Sequence, residues 1–311
     1  MKHLVTGGAG FIGSNIIEKV LLSGDEVICL DNLSTGDLRN LKKWQNNTKL
    51  KFIKTDIENF VDLEVDKIWH LACPGSPAFY QEDPIKTTKT IFLGTLNVLE
   101  LSKRYQAKLL LASSSEIYGN PKEHPQKEEY FGNVNPIGKR SCYEEGKRIA
   151  ESLCIDYSNK YNLDIKLARI FNSYGKNMKS NDGRVIYNFI LQALKNEPIT
   201  IYGDGLQTRS FCFIDDLVDG LFSFMKTSFR KPINLGNNEE ITILELAKLI
   251  KAKCLSQSEI IHLPKREDEP LKRRPDLVLS EKVLNWHPKV NIENGLEKTI
   301  NYLKEIHVVN N

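Results

Sequence analysis

The stretch TGGAGFIG, residues 6–13, constrains the fold more than any other part of the sequence. It lies between a short apolar, β-prone run, HLVTG (3–7), and a segment over residues 11–23. In that segment Phe11, Ile12, Ile16, Ile17, Val20 and Leu21 recur at helical spacing. Gly7, Gly10 and Gly13 stand three apart. Glycines so placed allow a tight turn, close approach of backbone to a pyrophosphate, and close helix–strand packing, with the helix N-terminus facing the phosphates. A glycine pattern alone is weak; with a strand before it and a helix after it, it predicts a dinucleotide site.

Four further strand-like runs follow: EVICLD (26–31), KLKFIKTD (49–56), KIWHLAC (67–73) and AKLLLAS (107–113). Helical segments separate most of them. The alternation predicts an α/β fold, a Rossmann-type doubly wound parallel sheet with ligands at the C-terminal ends of its strands. After residue 170 shorter strands, ITIYG (199–203) and PINLG (232–236), mix with helical stretches near 185–196, 214–226 and 243–253. This predicts a dinucleotide-binding domain over residues 1–170, with some later chain crossing back, and a smaller α/β substrate lobe over 171–311.

Composition narrows the class by exclusion. The 311 residues are 41% hydrophobic and 27% charged, and 43 Lys and Arg against 40 Asp and Glu leave a formal charge of +3. That bias is too mild to argue for nucleic acid or a membrane surface. No apolar run approaches the roughly 18–20 residues of a membrane helix, and the N-terminus MKHLVTGGAG has no signal-peptide core. The six cysteines, Cys29, Cys73, Cys142, Cys154, Cys212 and Cys254, are scattered without a CxxC. They read as reduced core residues of a cytoplasmic protein, so neither disulfide nor metal is expected.

Four polar features mark the site. The second strand ends at Asp31, the expected distance after the glycines; a carboxylate there accepts hydrogen bonds from ribose hydroxyls and repels a 2′-phosphate. The nearest following arginine is Arg39, so NAD is favoured over NADP. Asp56, at the end of the third strand, is placed to meet the adenine. In LLLASSSEIYG (109–119) an apolar strand runs into Ser113, Ser114, Ser115 and Glu116. Tyr143 and Lys147 are four apart, one face of a helix. An ammonium near a phenol stabilises the phenolate and lowers its pKa, making a base that takes a proton from a sugar hydroxyl as hydride leaves the same carbon.

TGGAGFIG, HLACPGSP, SSSEIYG, the Tyr-x-x-x-Lys pair, ARIFNSYG and YGDGLQTRSF together resemble the extended short-chain dehydrogenase/reductase superfamily. More narrowly the chain is similar, over nearly its whole length, to the UDP-glucuronate decarboxylase (UDP-xylose synthase) family. The most specific stretches are HLACPGSP, EHPQKEEYFGNVNPIGKRSCYEEGKR and ARIFNSYG. The resemblance implies NAD-dependent decarboxylation of UDP-glucuronate through a 4-keto intermediate, with the cofactor regenerated each cycle. It implies a catalytic set of Ser114, Ser115, Glu116, Tyr143, Lys147 and Arg273. It implies cofactor contacts from Gly7, Gly10, Phe11, Ile12 and Gly13; from Asp31, Asn32, Leu33, Thr35 and Gly36; from Asp56 and Ile57; and from Leu71, Ala72 and Cys73. Thr90, Ala112, Ser173 and the Tyr143–Lys147 pair complete that shell. Lys89, Glu116, Asn172, Arg184, Asn188, Arg209 and Arg273 are implied to bind the nucleotide sugar.

Relatives separate at the strand end. Sugar-nucleotide 4,6-dehydratases carry Thr-Asp-Glu where this chain has Ser114, Ser115 and Glu116, so the acid for dehydration is missing. The chain departs from the family at Ile91, usually Asn, at Gly75, usually Ala, and at Lys176, usually Pro. The opening at Gly75 leaves room for another uronate, such as a UDP-N-acetyl-hexosaminuronate. Epimerase, reductase and dehydratase activities on related nucleotide sugars stay open as alternatives. The resemblance also implies a homodimer through a four-helix bundle of the Tyr143–Lys147 helix and one near 86–105. Ile149, Leu153 and Tyr157 are suitably spaced to face a partner or the sheet.

Overall fold

The computed structural model describes residues 1–265 and 272–308. In the first half the order is β1 (Lys2–Thr6), α1 (Phe11–Leu22), β2 (Glu26–Asp31), β3 (Leu50–Lys54), β4 (Lys67–His70) and α2 (Pro77–Tyr80). Then come α3 (Pro84–Tyr105), β5 (Lys108–Ser114), α4 (Ser141–Tyr161) and β6 (Ile165–Ile170). The second half runs β7 (Ser173–Tyr174), α5 (Val185–Leu194), β8 (Ile199–Tyr202), β9 (Thr208–Ser210), β10 (Cys212–Phe213), α6 (Ile214–Lys226) and β11 (Ile233–Leu235). It continues through β12 (Glu240–Thr242), α7 (Ile243–Lys253), β13 (Ile260–Leu263), β14 (Lys272–Arg273), α8 (Val278–Leu284) and α9 (Ile292–Val308).

Seven parallel strands form the central sheet in the order β11-β6-β5-β4-β1-β2-β3. The first six follow the doubly wound dinucleotide-binding order, and β11 from the second half extends the sheet beyond β6. The strands read as continuous apolar runs because both faces are covered. Alternate residues serve opposite faces. Val5, Val27, Cys29, Leu110 and Ala112 pack with Ile16, Ile17 and Val20 of α1 and Leu217, Leu221 and Phe224 of α6. Leu4, Ile28, Leu30, Leu109 and Leu111 pack with Ile91, Val98 and Leu99 of α3 and Ala150 and Cys154 of α4. The first of these clusters continues without a break into Ile186, Ile190, Leu246, Ile250 and Leu296, so the second half shares its core with the sheet.

Three small sheets complete the second half: β10 with β7, β13 with β8, and β12-β9-β14. α7 is closed by a capping box in which Thr242 and Glu245 satisfy each other's backbone amides. All six cysteines are free thiols, with Cys29, Cys154 and Cys212 buried. No helix among the described residues is long and apolar enough to cross a membrane. On α4, Ile149 is exposed, whereas Leu153 and Tyr157 pack against the α3–α4 core and the Tyr157 hydroxyl donates to Glu100 at 2.7 Å. Ile91 is buried against Gly146, where a Cβ would come within 2.8 Å of Ile91 Cδ1, so this position packs α3 onto α4. Lys176 pairs with Glu18 of α1.

Candidate active site

One cleft of about 580 Å³ runs along the C-terminal ends of the central strands, from the glycine loop to α5, β9 and β14. Its floor at one end is the turn between β1 and α1. Gly7 sits at φ +67°, and a Cβ there would lie 2.9 Å from the Ala72 amide nitrogen. A Cβ on Gly13 would lie 2.2 Å from the Gly7 carbonyl oxygen, so α1 approaches β1 as closely as glycine alone permits. Gly13→Ala must push α1 away from the loop. It is expected to lower stability by about 1–3 kcal/mol, read as a fall in thermal midpoint, and to abolish dinucleotide binding.

Asp31 closes β2 with its side chain buried beside this loop. Its carboxylate accepts the Ala9 amide at 2.9 Å and the Leu33 amide at 2.8 Å. Burial pushes the Asp31 carboxyl up, against the downward pull of those two amides. A carboxylate has lone pairs beyond these two bonds, and Asp31 lines the cleft. Leu33 and Gly36 stand behind it rather than in the cleft: Leu33 supplies its amide, and a Cβ on Gly36 would lie 2.9 Å from both Asp31 oxygens. Phe11, Ile12, Asn32, Thr35, Ile57, Leu71, Ala72, Cys73, Thr90, Ala112 and Ser173 all line the cleft.

Asp56 is not among the lining residues. It pairs with Lys86 at 2.8 Å and accepts from Asn32 Nδ2 at 3.0 Å. Burial acts to raise its carboxyl, but Lys86, the Glu58 amide and Asn32 outweigh that and hold it below the usual range. Its neighbours Thr55 and Ile57 do line the cleft. Lys89 is exposed and does not line the cleft, whereas Lys86, Thr87 and Thr90 of α3 do.

At the centre, α4 presents Tyr143 and Lys147 to the end of β5. Lys147 is buried and donates from Nζ to the Ala112 carbonyl at 2.8 Å. The Tyr143 ring stacks on Tyr80, with centroids 4.9 Å apart and planes 13° apart. Burial pushes the Tyr143 phenol well above its ordinary value, the Cys73 thiol adds to this, and hydrogen bonding with Ser114 works the other way. The Lys147 ammonium reaches to Ala112, 5.7 Å from the ring centroid, and desolvation dominates. Ser114 also accepts the Glu116 amide at 3.2 Å, capping the short 3₁₀ turn Ser115–Tyr118, and Ser115 is buried in its first position.

That turn aims Glu116 between two guanidinium groups, Arg140 and Arg273. Burial would raise the Glu116 carboxyl, but the charges of Arg273 and Arg140 and their hydrogen bonds hold it down at about 2. Arg140 also donates to Glu144 at 3.1 Å. Sequence reasoning did not find Arg140. The available signal was a basic residue three positions before Tyr143, with nothing local to say that it would meet Glu116. Tyr80, under the Tyr143 ring, was missed for the same reason.

Arg273 is almost wholly buried, donates to the Gly119 carbonyl at 2.8 Å, and has a buried Nε without a hydrogen-bond partner among the described residues. β14 and β9 are parallel with Arg273 opposite Arg209, which sets the two side chains on one face of the small sheet. Arg184 is the N-cap residue of α5, pairs with Asp182 at 2.9 Å and lies over Gly75, where a Cβ would come 3.1 Å from its Nη2. Gly75 itself lines the cleft beside this guanidinium. Asn172 and Asn188 line the cleft, and Asn188 donates to the Gly183 carbonyl at 3.1 Å.

A dinucleotide loop, a strand-end carboxylate and a tyrosine–lysine pair over one cleft form the arrangement that a family comparison can decide. Residues 3–236 match the sequence model of the NAD dependent epimerase/dehydratase family. The chain belongs to that family. Among its relatives, UDP-glucuronic acid decarboxylase 1 of Danio rerio is 50% identical over 312 residues, covering 100% of this chain and 75% of that protein. UDP-glucose 4-epimerase of Thermotoga maritima, solved with UDP-glucose, superposes with a TM-score of 0.91 at 29% identity, covering 99% of this chain and 100% of that one. UDP-glucuronic acid 4-epimerase of Bacillus cereus, solved with UDP-glucuronic acid and NAD, gives 0.89 at 28% identity over 98% of this chain and 100% of that one. The glycine loop and the buried Asp31 acceptor lie together at the N-terminus of α1, at one end of the cleft.

Proposed function

We propose that this protein is an NAD-dependent UDP-glucuronate decarboxylase. The observation that carries the reading is Arg273: a buried guanidinium that already holds one carboxylate, Glu116, and keeps a buried Nε–H without a partner among the described residues. A uronate carboxylate is the substrate group that such a donor suits. Half-identity to a decarboxylase over the whole chain supports it. The amides around Gly7, Gly10 and Gly13 would hold the pyrophosphate and Asp31 the adenosine ribose. Bound NAD supplies the acceptor, and later the donor, of one hydride. Residues 1–170 are read as the cofactor domain and 171–311 as the sugar-nucleotide lobe, with Asn172, Arg184, Asn188 and Arg209 on the nucleotide sugar.

Tyr143, bonded with Ser114, takes the proton from the 4-hydroxyl as the hydride leaves carbon 4. The resulting ketone is β to the carboxylate, so the carbon 5–carbon 6 bond breaks with its electron pair passing into the ketone as an enolate. Carbon dioxide departs, carbon 5 is protonated, and the hydride returns to carbon 4 as Tyr143 gives the proton back. Arg273 and Ser115 hold the carboxylate. Glu116, whose carboxyl the charges of Arg273 and Arg140 hold down against burial, orders the two guanidinium groups.

Incubation with UDP-glucuronate and NAD should release carbon dioxide and a UDP-pentose, followed by mass spectrometry. Interconversion at carbon 4 without carbon dioxide would replace this reading with a 4-epimerase, the activity named for the Bacillus cereus neighbour. Asp31→Asn should weaken NAD binding by about 10–100-fold, the worth of a hydrogen bond to a charged group, measured by titration of cofactor-free protein. We further read the protein as a cytoplasmic homodimer. Exposed Phe92 and Leu93 on α3 and Ile149 and Ile155 on α4 support a helix-pair interface.

A further inference from the structure

The reading of Arg273 as the carboxylate-binding group raises a question of precision. β14 is only two residues long, yet its second residue must aim a guanidinium at a reacting carboxylate. A strand this short has few ladder bonds of its own. β9 lies on one side of it. On the other side lies Gln126, in the segment between the Glu116 turn and α4, and its side chain is fully buried.

Gln126 grips the residue after Arg273 from both directions. Its amide N–H donates to the Arg274 carbonyl at 2.9 Å, and its side-chain Oε1 accepts the Arg274 N–H at 2.9 Å. Its carbonyl accepts the Asp276 N–H at 2.8 Å. Gln126 is itself held. Its Nε2 donates to the Glu123 carbonyl at 2.7 Å, and its carbonyl accepts Asn234 Nδ2 at 3.0 Å. Asn234, on β11, accepts the Tyr118 hydroxyl at 2.8 Å, and Tyr118 closes the turn that carries Glu116. Tyr118 in turn accepts Arg169 Nη1 at 3.0 Å, and Arg169 pairs with Glu151 on α4, two helical turns beyond Tyr143. Buried bonds therefore run from the Tyr143 helix through Tyr118, Asn234 and Gln126 to the strand of Arg273.

We propose that Gln126 is a positioning residue for Arg273, fixing β14 so that the guanidinium meets both Glu116 and the carboxylate that leaves. The inference rests on the decarboxylase reading above, since it assumes that Arg273 handles the sugar carboxylate. A misplacement of about 1 Å at a reacting group can cost about 10²-fold, and Gln126 is the side chain whose loss would allow it here.

The test uses the whole chain with NAD and UDP-glucuronate. Gln126→Met keeps shape and loses both side-chain hydrogen bonds. It is expected to slow carbon dioxide release by about 10–100-fold, while the first formation of NADH keeps its unmodified rate. Arg273→Lys should show the same split. Because one residue acts through the other, the double variant should be slower than Arg273→Lys by less than about threefold. Gln126→Glu, which retains the acceptor toward Arg274, should keep most of the turnover. Multiplying effects in the double variant, equal slowing of NADH formation, or a Gln126→Glu as slow as Gln126→Met would each overturn the proposal. Normal carbon dioxide release by Arg273→Lys would instead strike at the reading of Arg273. A slow Arg273→Lys beside a normal Gln126→Met would strike at the positioning role alone.

Discussion

Tyr143→Phe is expected to lower carbon dioxide release from UDP-glucuronate by about 10³-fold, the scale at which a positioned acid–base group acts. The substitution is conservative in packing, because phenylalanine keeps the stack on Tyr80 at 4.9 Å and removes a single oxygen. Melting should therefore be near normal, and loss of turnover will report chemistry. The pH profile supplies a second check. Burial holds the phenol neutral well above its ordinary range in the free protein. Ionisation depends on cations brought to it, with Arg184 already acting in that direction. Activity should fall as pH is lowered, and Ser114→Ala, which removes the hydrogen bond that works against burial, should move that fall to higher pH.

The second large effect is expected at the Glu116 bridge. Arg273→Ala should slow carbon dioxide release by about 10²–10³-fold, as loss of a preorganised charge does, while NADH still forms from UDP-glucuronate. Glu116→Gln should also slow release, since two buried guanidinium groups then lose the carboxylate that orders them. The bridge carries a pH signature in stability. The folded carboxyl sits at about 2, against an ordinary value of 4.5. A depressed folded value means that the stabilisation is present above the unfolded value and is lost as pH falls from there through the folded one. Thermal midpoints measured from about pH 5 down to about pH 3 should drop more steeply for the unmodified protein than for Glu116→Gln. Parallel curves would show that the bridge contributes no such stability.

Much of this site was legible because its parts are local. The strand at 26–31 and the helices at 214–226 and 243–253 have the bounds read from periodicity, since each is a single amphipathic or doubly buried segment. Gly7, Gly13 and Asp31 were legible because backbone geometry allows few residues there. What was hidden depends on meetings between distant segments. Arg140 reaches Glu116 only because the chain after β5 loops back to start α4; Arg273, 157 residues beyond Glu116, was named through the family resemblance and not from spacing. Lys86, and not Lys89, faces the cleft because of how α3 is rotated against β4, which no spacing rule fixes. Four-residue spacing puts Lys147 on the Tyr143 face, but its reach to the Ala112 carbonyl depends on how α4 packs on β5, which spacing does not fix.

β11 has a consequence for how this protein can be taken apart. It borders β6 in register, Ile233 opposite Ala168 and Leu235 opposite Ile170. A chain cut after residue 170 would present Ile165–Ile170, buried along its whole length here, as an open edge of unpaired amides and carbonyls. Such a fragment is a template for self-association and not a miniature cofactor protein. Chimeras that join the dinucleotide half of this chain to another enzyme's sugar-binding half must therefore supply a strand that pairs with β6 in the register of residues 233–235.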